Sequence, residues 1–232
     1  MRLLMMNLSP GSLPVNDSSL TLVKFLLPLD HDVLALPATL GLIDSLCHRG
    51  ALAHEVVAVD DASRDGTAAE ARRFAHVMPL WLIQHGKPMG RAMAFRTALE
   101  AACRDVGDND LLLPIDPRRR PDLQAALNAI IAARAGRDAV LSASGRESWR
   151  GRLERKPEQV AVYRAGLIQR HLAGFMETAP PGDAEAVRQL GPYLLSVGVR
   201  FHRLPAPPIQ RPVVPARTGG RGASAQVGSR AR

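Results

Sequence analysis

The stretch Glu55-Val-Val-Ala-Val-Asp-Asp-Ala-Ser-Arg-Asp-Gly-Thr67 decides how this chain is read. Its Val-rich beginning suits a strand buried on both faces of a parallel sheet. The run stops at Asp60 and Asp61, which puts two carboxylates at the carboxyl end of a strand, where open α/β sheets bind ligands. Ser63, Asp65 and Gly66 then supply a tight turn and start a helix. One strand end, two carboxylates and a turn together suit the grip on a nucleotide.

The same punctuation extends in both directions. Leu20–Leu29 reads as a strand ending in Pro28-Leu-Asp-His-Asp32, and Leu36–Arg49 as a helix with Leu36, Leu40, Ile43 and Leu46 at helical spacing. After the Glu55–Val59 strand, Thr67–Val77 reads as a helix and Leu80–Gln84 as a third strand. The loop His85-Gly-Lys-Pro-Met-Gly90 leads into a helix over Arg91–Arg104. Asp110–Ile115 is a fourth apolar strand, and it too ends in a carboxylate, Asp116. Pro121–Arg134 reads as a helix with proline in its first turn, and Ala139–Ala143 as a fifth strand. Repeated strand–helix alternation predicts right-handed βαβ units and a doubly wound, mostly parallel sheet flanked by helices. Beyond Ser144 the pattern loosens into an exposed charged loop, helices over Leu167–Phe175 and Ala184–Ser196, and a last strand over Val199–Leu204.

Composition narrows the classes. The chain of 232 residues has a net charge of +8, but its last acidic residue is Glu185, and the 8 arginines after it hold the whole excess. The first 185 residues are balanced, with 22 basic and 22 acidic side chains. A basic segment whose aromatics are Tyr193 and Phe201 alone lacks the interleaved stacking platforms of single-strand nucleic-acid binders, so no nucleic-acid partner is expected. Such a tail suits an anionic membrane surface or plain solvation. Cys47 and Cys103 sit in helical patterns without metal-type or CxxC spacing, and read as reduced, buried residues of a cytoplasmic protein. The first residues show neither the apolar core nor the cleavage site of a signal peptide, and no stretch reaches membrane-spanning length.

Four segments in order carry a family likeness: Pro28-Leu-Asp-His-Asp32, Val59-Asp-Asp-Ala-Ser-Arg-Asp-Gly-Thr67, Gly86-Lys-Pro-Met-Gly-Arg91 and Ile115-Asp-Pro-Arg-Arg-Arg-Pro-Asp122. Over residues 20–145 the chain resembles the family 2 glycosyltransferases of GT-A fold. Their strand ends read Pro-x-Tyr-Asn-Glu, Val-Asp-Asp-Gly-Ser-x-Asp-Gly-Thr, Gly-Lys-Gly and Asp-x-Asp. Further on, Val162-Tyr-Arg-Ala-Gly-Leu-Ile168, Gly198-Val-Arg-Phe-His-Arg-Leu-Pro205 and Arg217-Thr-Gly-Gly-Arg-Gly-Ala-Ser224 are similar to stretches of the polyprenyl- and dolichyl-phosphate sugar transferases.

Ser, Pro, Asn and Gly mark a flexible leader over 1–19, and Pro, Gly and Arg a basic tail over 206–232; between them the resemblance implies a nucleotide-sugar-binding α/β domain over 20–145 and an acceptor-side part of the same domain over 146–205. It implies a UDP- or GDP-linked sugar donor and a polyprenyl-phosphate or cell-envelope acceptor, at the inner face of a bacterial membrane. Pro28, Asp30, Asp60, Asp61 and Ser63 would contact the nucleoside, Lys87 and Arg118 the phosphates. Asp116 would be the catalytic, metal-side carboxylate for Mg²⁺ or Mn²⁺. Asp183 falls in the region of acceptor-side acids, although it equally suits the N-cap of the helix that follows it.

The chain departs from the family at the metal end. Arg118 stands where the second carboxylate of Asp-x-Asp belongs, and one carboxylate facing three arginines is a poor divalent site. Two readings stay open: arginine neutralises the diphosphate directly, or catalysis has been lost and the fold is kept for binding a nucleotide, a lipid or a protein. A Rossmann oxidoreductase is disfavoured because no Gly-x-Gly-x-x-Gly follows the first strand.

Overall fold

The computed structural model describes residues 21–119, 122–143, 159–178 and 186–205. Seven strands form one sheet: β1 (Val23–Leu29), β2 (His54–Asp60), β3 (Leu80–Gln84), β4 (Leu111–Pro114), β5 (Ala139–Ala143), β6 (Gln159–Arg164) and β7 (His202–Leu204), in the order β3-β2-β1-β4-β6-β5-β7. Among the described residues six helices flank it: α1 (Leu36–Gly50), α2 (Thr67–Phe74), α3 (Arg91–Ala102), α4 (Leu123–Arg134), α5 (Ala165–Thr178) and α6 (Ala186–Ser196). β1 is parallel to β2 and β4, β2 to β3, and β5 to β7, while β6 runs antiparallel to both its neighbours. The sheet is therefore mostly parallel, as the alternation predicts.

Alternation along β1 sorts the core into two layers. Val23, Phe25, Leu27 and Leu29 pack with α1, α2 and α4 on one face. Leu26, together with Val57 and Val59 of β2, packs with α3, α5 and α6 on the other. Lys24 is the exception on that second face: fully buried, it is 3.0 Å from Glu55 Oε2 and 5.8 Å from the ring centre of Trp81, so its charge is paired rather than isolated.

Some expectations change. β6 has no counterpart in the sequence reading; it inserts between β4 and β5, so the consecutive unit β4–α4–β5 does not join neighbouring strands. Helix α4 starts at Leu123 rather than Pro121, because Asp122 takes the N-cap and accepts from Gln124 N and Ala125 N at 3.0 Å each. Helix α2 ends at Phe74, short of Val77. The leader, residues 144–158 of the charged loop, Asp183 and the tail beyond residue 205 lie outside the described residues.

Two prolines open the edge of the sheet that matters. Leu26 O accepts from Ile115 N, so every second residue of β1 turns its backbone groups toward β4, Pro28 among them. The β1–β4 ladder ends at the pair Leu26–Pro114, and proline has no N–H to carry it further. Pro114 in turn faces β6, whose ladder with β4 ends at Leu112. The strands part here. This gap lies between β1 and β4, where the chain, having built outward through β2 and β3, returns to the other side of β1. That is the topological switch point of the sheet, the usual ligand crevice.

Candidate functional site at the carboxyl edge of the sheet

The loops after β1 and β2 are laced to each other. His31 N donates to Ser63 Oγ at 2.9 Å, Asp32 N to Thr67 Oγ1 at 2.8 Å, and Val33 N to Asp65 Oδ2 at 3.2 Å. His31 and Ala62 both adopt left-handed backbone, φ 54° and 55°. For a residue with a Cβ that conformation costs about 1–2 kcal/mol, and such strain gathers at ligand-binding turns. The family pattern has glycine where this chain has Ala62.

Asp65 holds this lacing in place. Burial works against its charge, but hydrogen bonds from the Thr67 hydroxyl, from Thr67 N and from Val33 N outweigh it and hold the carboxyl below its ordinary range. The N-cap position of α2 itself belongs to Gly66, at φ 95°, so Asp65 acts from one residue further out.

Asp60 and Asp61 are both buried, and they behave differently. Asp61 faces the third loop: its oxygens accept from Met89 N at 2.9 and 3.0 Å and from Gly90 N at 2.6 Å, with His85 Nδ1 at 2.7 Å. His85 Nε2 is 3.0 Å from Thr97 Oγ1, so the imidazole ties the loop back to α3. Asp60 Oδ2 receives two long bonds, from Ser63 N and Gln84 Nε2 at 3.3 Å each. Asp60 Oδ1 has no partner among the described residues, although the residue is 0% exposed. A buried carboxylate oxygen without a donor costs free energy until something supplies an N–H or O–H.

At the switch point six charges interlock. Arg91, at the first turn of α3 and almost fully buried, donates Nη1 to Pro28 O at 2.7 Å, replacing the bond that β4 no longer makes. Its Nη2 reaches Asp32 Oδ2 at 2.6 Å and Asp30 O at 3.1 Å, and Nη1 lies 3.6 Å from Asp116 Oδ1. Asp32 is also bound by Arg118 Nε at 3.0 Å. Arg118 Nη2 donates to Asp30 O and lies 3.4 Å from Asp30 Oδ2. Asp116 Oδ1 accepts from Arg118 N at 3.0 Å, while Oδ2 is 3.4 Å from Arg119 Nε. Burial opposes the charge on Arg118; the hydrogen bond to Asp32 and the fields of Asp32, Asp30 and Asp116 prevail, so its pKa is raised. His31 Nδ1 donates to Asp30 Oδ1 at 2.8 Å, and that bond above all raises the imidazole pKa; burial opposes the rise, and the fields of Asp30, Asp65 and Asp60 add to it.

The fold therefore brings Pro28, Asp30, Asp60, Asp61, Ser63, Asp116 and Arg118 to one edge. Lys87 is on the exposed tip of the loop after β3 and makes no ion pair among the described residues. Asp183 lies outside the described residues. Asp32, Arg91 and His85 were not singled out by sequence reasoning. Arg91 follows a glycine at a helix start, an unremarkable place for arginine, and His85 stands alone in sequence; only the fold brings Arg91 to Asp32 and His85 to Asp61. Cys47 and Cys103 lie away from this edge, with burial pushing their thiols up to about 12 and about 11, which keeps them unreactive.

The residues present do not fit a divalent cation. Asp30, Asp32 and Asp116 are each already bound by guanidinium groups, and no cluster of three or more His, Cys, Asp or Glu suited to a metal occurs among the described residues. A hard dication needs several free oxygen ligands, and here arginines occupy them.

Comparison with known proteins places this edge in context. Residues 35–112 match the profile of the family described as Glycosyl transferase family 2. No curated protein matches in sequence. Among solved structures, mannosyltransferase PcManGT from Pyrobaculum calidifontis, in complex with GDP-Man and Mn²⁺, is similar at TM-score 0.56 and 21% identity, covering 85% of this chain and 59% of that one. S. aureus TarS 1-349 is similar at TM-score 0.52 and 16% identity, covering 66% and 49%. The 4-diphosphocytidyl-2C-methyl-D-erythritol synthase of Anaerococcus prevotii matches at TM-score 0.56 and 10% identity, covering 82% and 88%. The chain thus has a GT-A-type α/β fold, and it spans 49% and 59% of the length of the first two neighbours. No helix among the described residues is long and apolar enough to cross a membrane.

Proposed function

We propose that this protein binds a nucleotide-sugar donor at the carboxyl edge of β1, β2 and β4 and transfers its sugar. The observation that carries the reading is the unpartnered Oδ1 of Asp60, buried at a strand end beside Gln84 and Ser63. An N–H of a base or a ribose hydroxyl is the donor that such an oxygen lacks. The match of residues 35–112 to a glycosyltransferase profile supports it, as do the neighbours whose structures hold GDP-Man and Mn²⁺ or UDP-GlcNAc. Fold alone does not choose the chemistry, since the erythritol synthase shares it.

In this reading Asp60 and Ser63 hold the nucleoside, and Asp61 keeps the 85–90 loop, with Lys87 on it, closed over the site. Asp30 and His31 form the near wall. In the transfer, an acceptor oxygen forms a bond to the anomeric carbon as the bond to the diphosphate breaks. The electron pair leaves on the nucleoside diphosphate, and the acceptor proton passes to a base. A polyprenyl-phosphate or envelope acceptor, and a basic tail resting on an anionic membrane, extend the proposal; the ordered C-terminal likenesses and the charge of residues after 185 support them.

The second reading is a fold kept for binding without turnover. The arginine-bound state of Asp116 favours it. Calorimetry of the full chain with UDP- and GDP-sugars tests the first step, and release of nucleoside diphosphate tests the second. Binding that Asp60→Ala abolishes supports the site; no heat with any nucleotide sugar sinks it. Binding without release, across lipid-phosphate acceptors, selects the second reading.

A further inference from the structure

We infer that Arg118 and Arg119 do the work of a metal ion here, clamping the diphosphate of the bound nucleotide without any divalent cation. The inference rests on the nucleotide reading above and adds how the diphosphate is held. Three observations carry it.

First, the carboxylates at the switch point are in use. Asp32 is buried between Arg91 and Arg118, and Asp116 lies between Arg91 and Arg119, so an entering dication would have to displace guanidinium groups from both. Second, the arginines divide into two kinds. Arg91 has a side chain 6% exposed and spends its donors on Pro28 O, Asp30 O and Asp32. Arg118 and Arg119 have side chains 53% and 44% exposed, and Nη1 of Arg118 and both terminal nitrogens of Arg119 bond to nothing among the described residues. These are paired, planar N–H donors at a crevice mouth, the form that matches phosphate oxygens in a bidentate way. Third, Asp32 stays neutralised by Arg91 if Arg118 turns toward a ligand, so the clamp can engage without leaving a buried carboxylate bare.

Two measurements on the full chain decide it. In the first, Mn²⁺ alone is titrated and its free electron-paramagnetic-resonance signal is followed. The wild type leaves the signal unchanged, whereas Arg118→Asp, which restores an Asp-x-Asp pair, quenches it. Quenching by the wild type that Asp116→Ala removes overturns the inference without any reference to nucleotide. In the second, UDP and GDP are titrated by calorimetry in EDTA and in Mn²⁺. The wild type binds one of them with the same affinity in both media. Arg118→Ala weakens that diphosphate about 10- to 100-fold and leaves the matching nucleoside monophosphate unaffected, with an unchanged melting temperature. Diphosphate binding that disappears in EDTA overturns the clamp and leaves the nucleotide reading standing. Absence of binding for every nucleotide in both media overturns that reading, and the clamp with it.

Discussion

Asp60 at the end of β2 and Asp116 at the end of β4 are equivalent residues in a doubly wound sheet, yet their surroundings are opposite. Asp60 is buried with one oxygen that no described residue partners. Asp116 has a side chain 24% exposed and is surrounded by Arg91, Arg119 and the Arg118 backbone. The first end stores an unmet demand for a donor; the second has met its demand from within the chain. A site built this way spends stability where a nucleoside would bind and is self-neutralised where a cation would sit.

The largest expected effect breaks the self-neutralised end. Asp32→Ala leaves Arg91 buried without its closest carboxylate, and should cost about 3–5 kcal/mol in denaturant unfolding. A loss too small to measure would mean that Asp116 alone can hold Arg91. Next comes the brace between the two ends: Asp61→Ala removes the acceptor for Met89 N, Gly90 N and His85, and should cost about 1.5–3 kcal/mol. Amide exchange at Met89 and Gly90 should accelerate selectively; a uniform acceleration across the sheet would point to general destabilisation instead.

The Asp60 end gives the sharpest contrast. Asp60→Asn keeps an acceptor for Ser63 N and Gln84 while removing the unmet charge, so stability should hold or rise by up to about 1–2 kcal/mol. Binding of UDP or GDP should fall at least about tenfold. A variant that melts lower and binds normally would make Asp60 a structural residue.

The smallest effect concerns His31, on the wall between the ends. Its pKa is raised above 6.5 by Asp30, so its contribution is complete below 6.5 and fades as pH rises through the folded value. An NMR titration should place His31 above 6.5, with Asp30→Asn returning it toward that value. A midpoint already at or under 6.5 in the wild type would show that the Asp30 contact is not kept in solution.

Much of the fold was legible in the chain because its strands are continuous apolar runs and its strand ends carry carboxylates. β6 was not, because Gln159–Arg164 is a short segment after a charged stretch, and what makes it a strand is pairing with β4 and β5 on either side. At the site, the Val59–Thr67 segment announced itself locally. Asp32 and Arg91 did not, since they lie 59 residues apart and meet only when β1 and α3 close the switch point.

Sequence by itself determined the α/β alternation, the parallel core and the positions of Asp60, Asp61 and Asp116 at strand ends, since period and punctuation are local properties of a chain. Tertiary structure alone decided which carboxylate keeps a free oxygen and which is closed by arginine. That depends on which donors the folded loops bring within about 3 Å, and such distances between residues remote in sequence exist only once the sheet has formed.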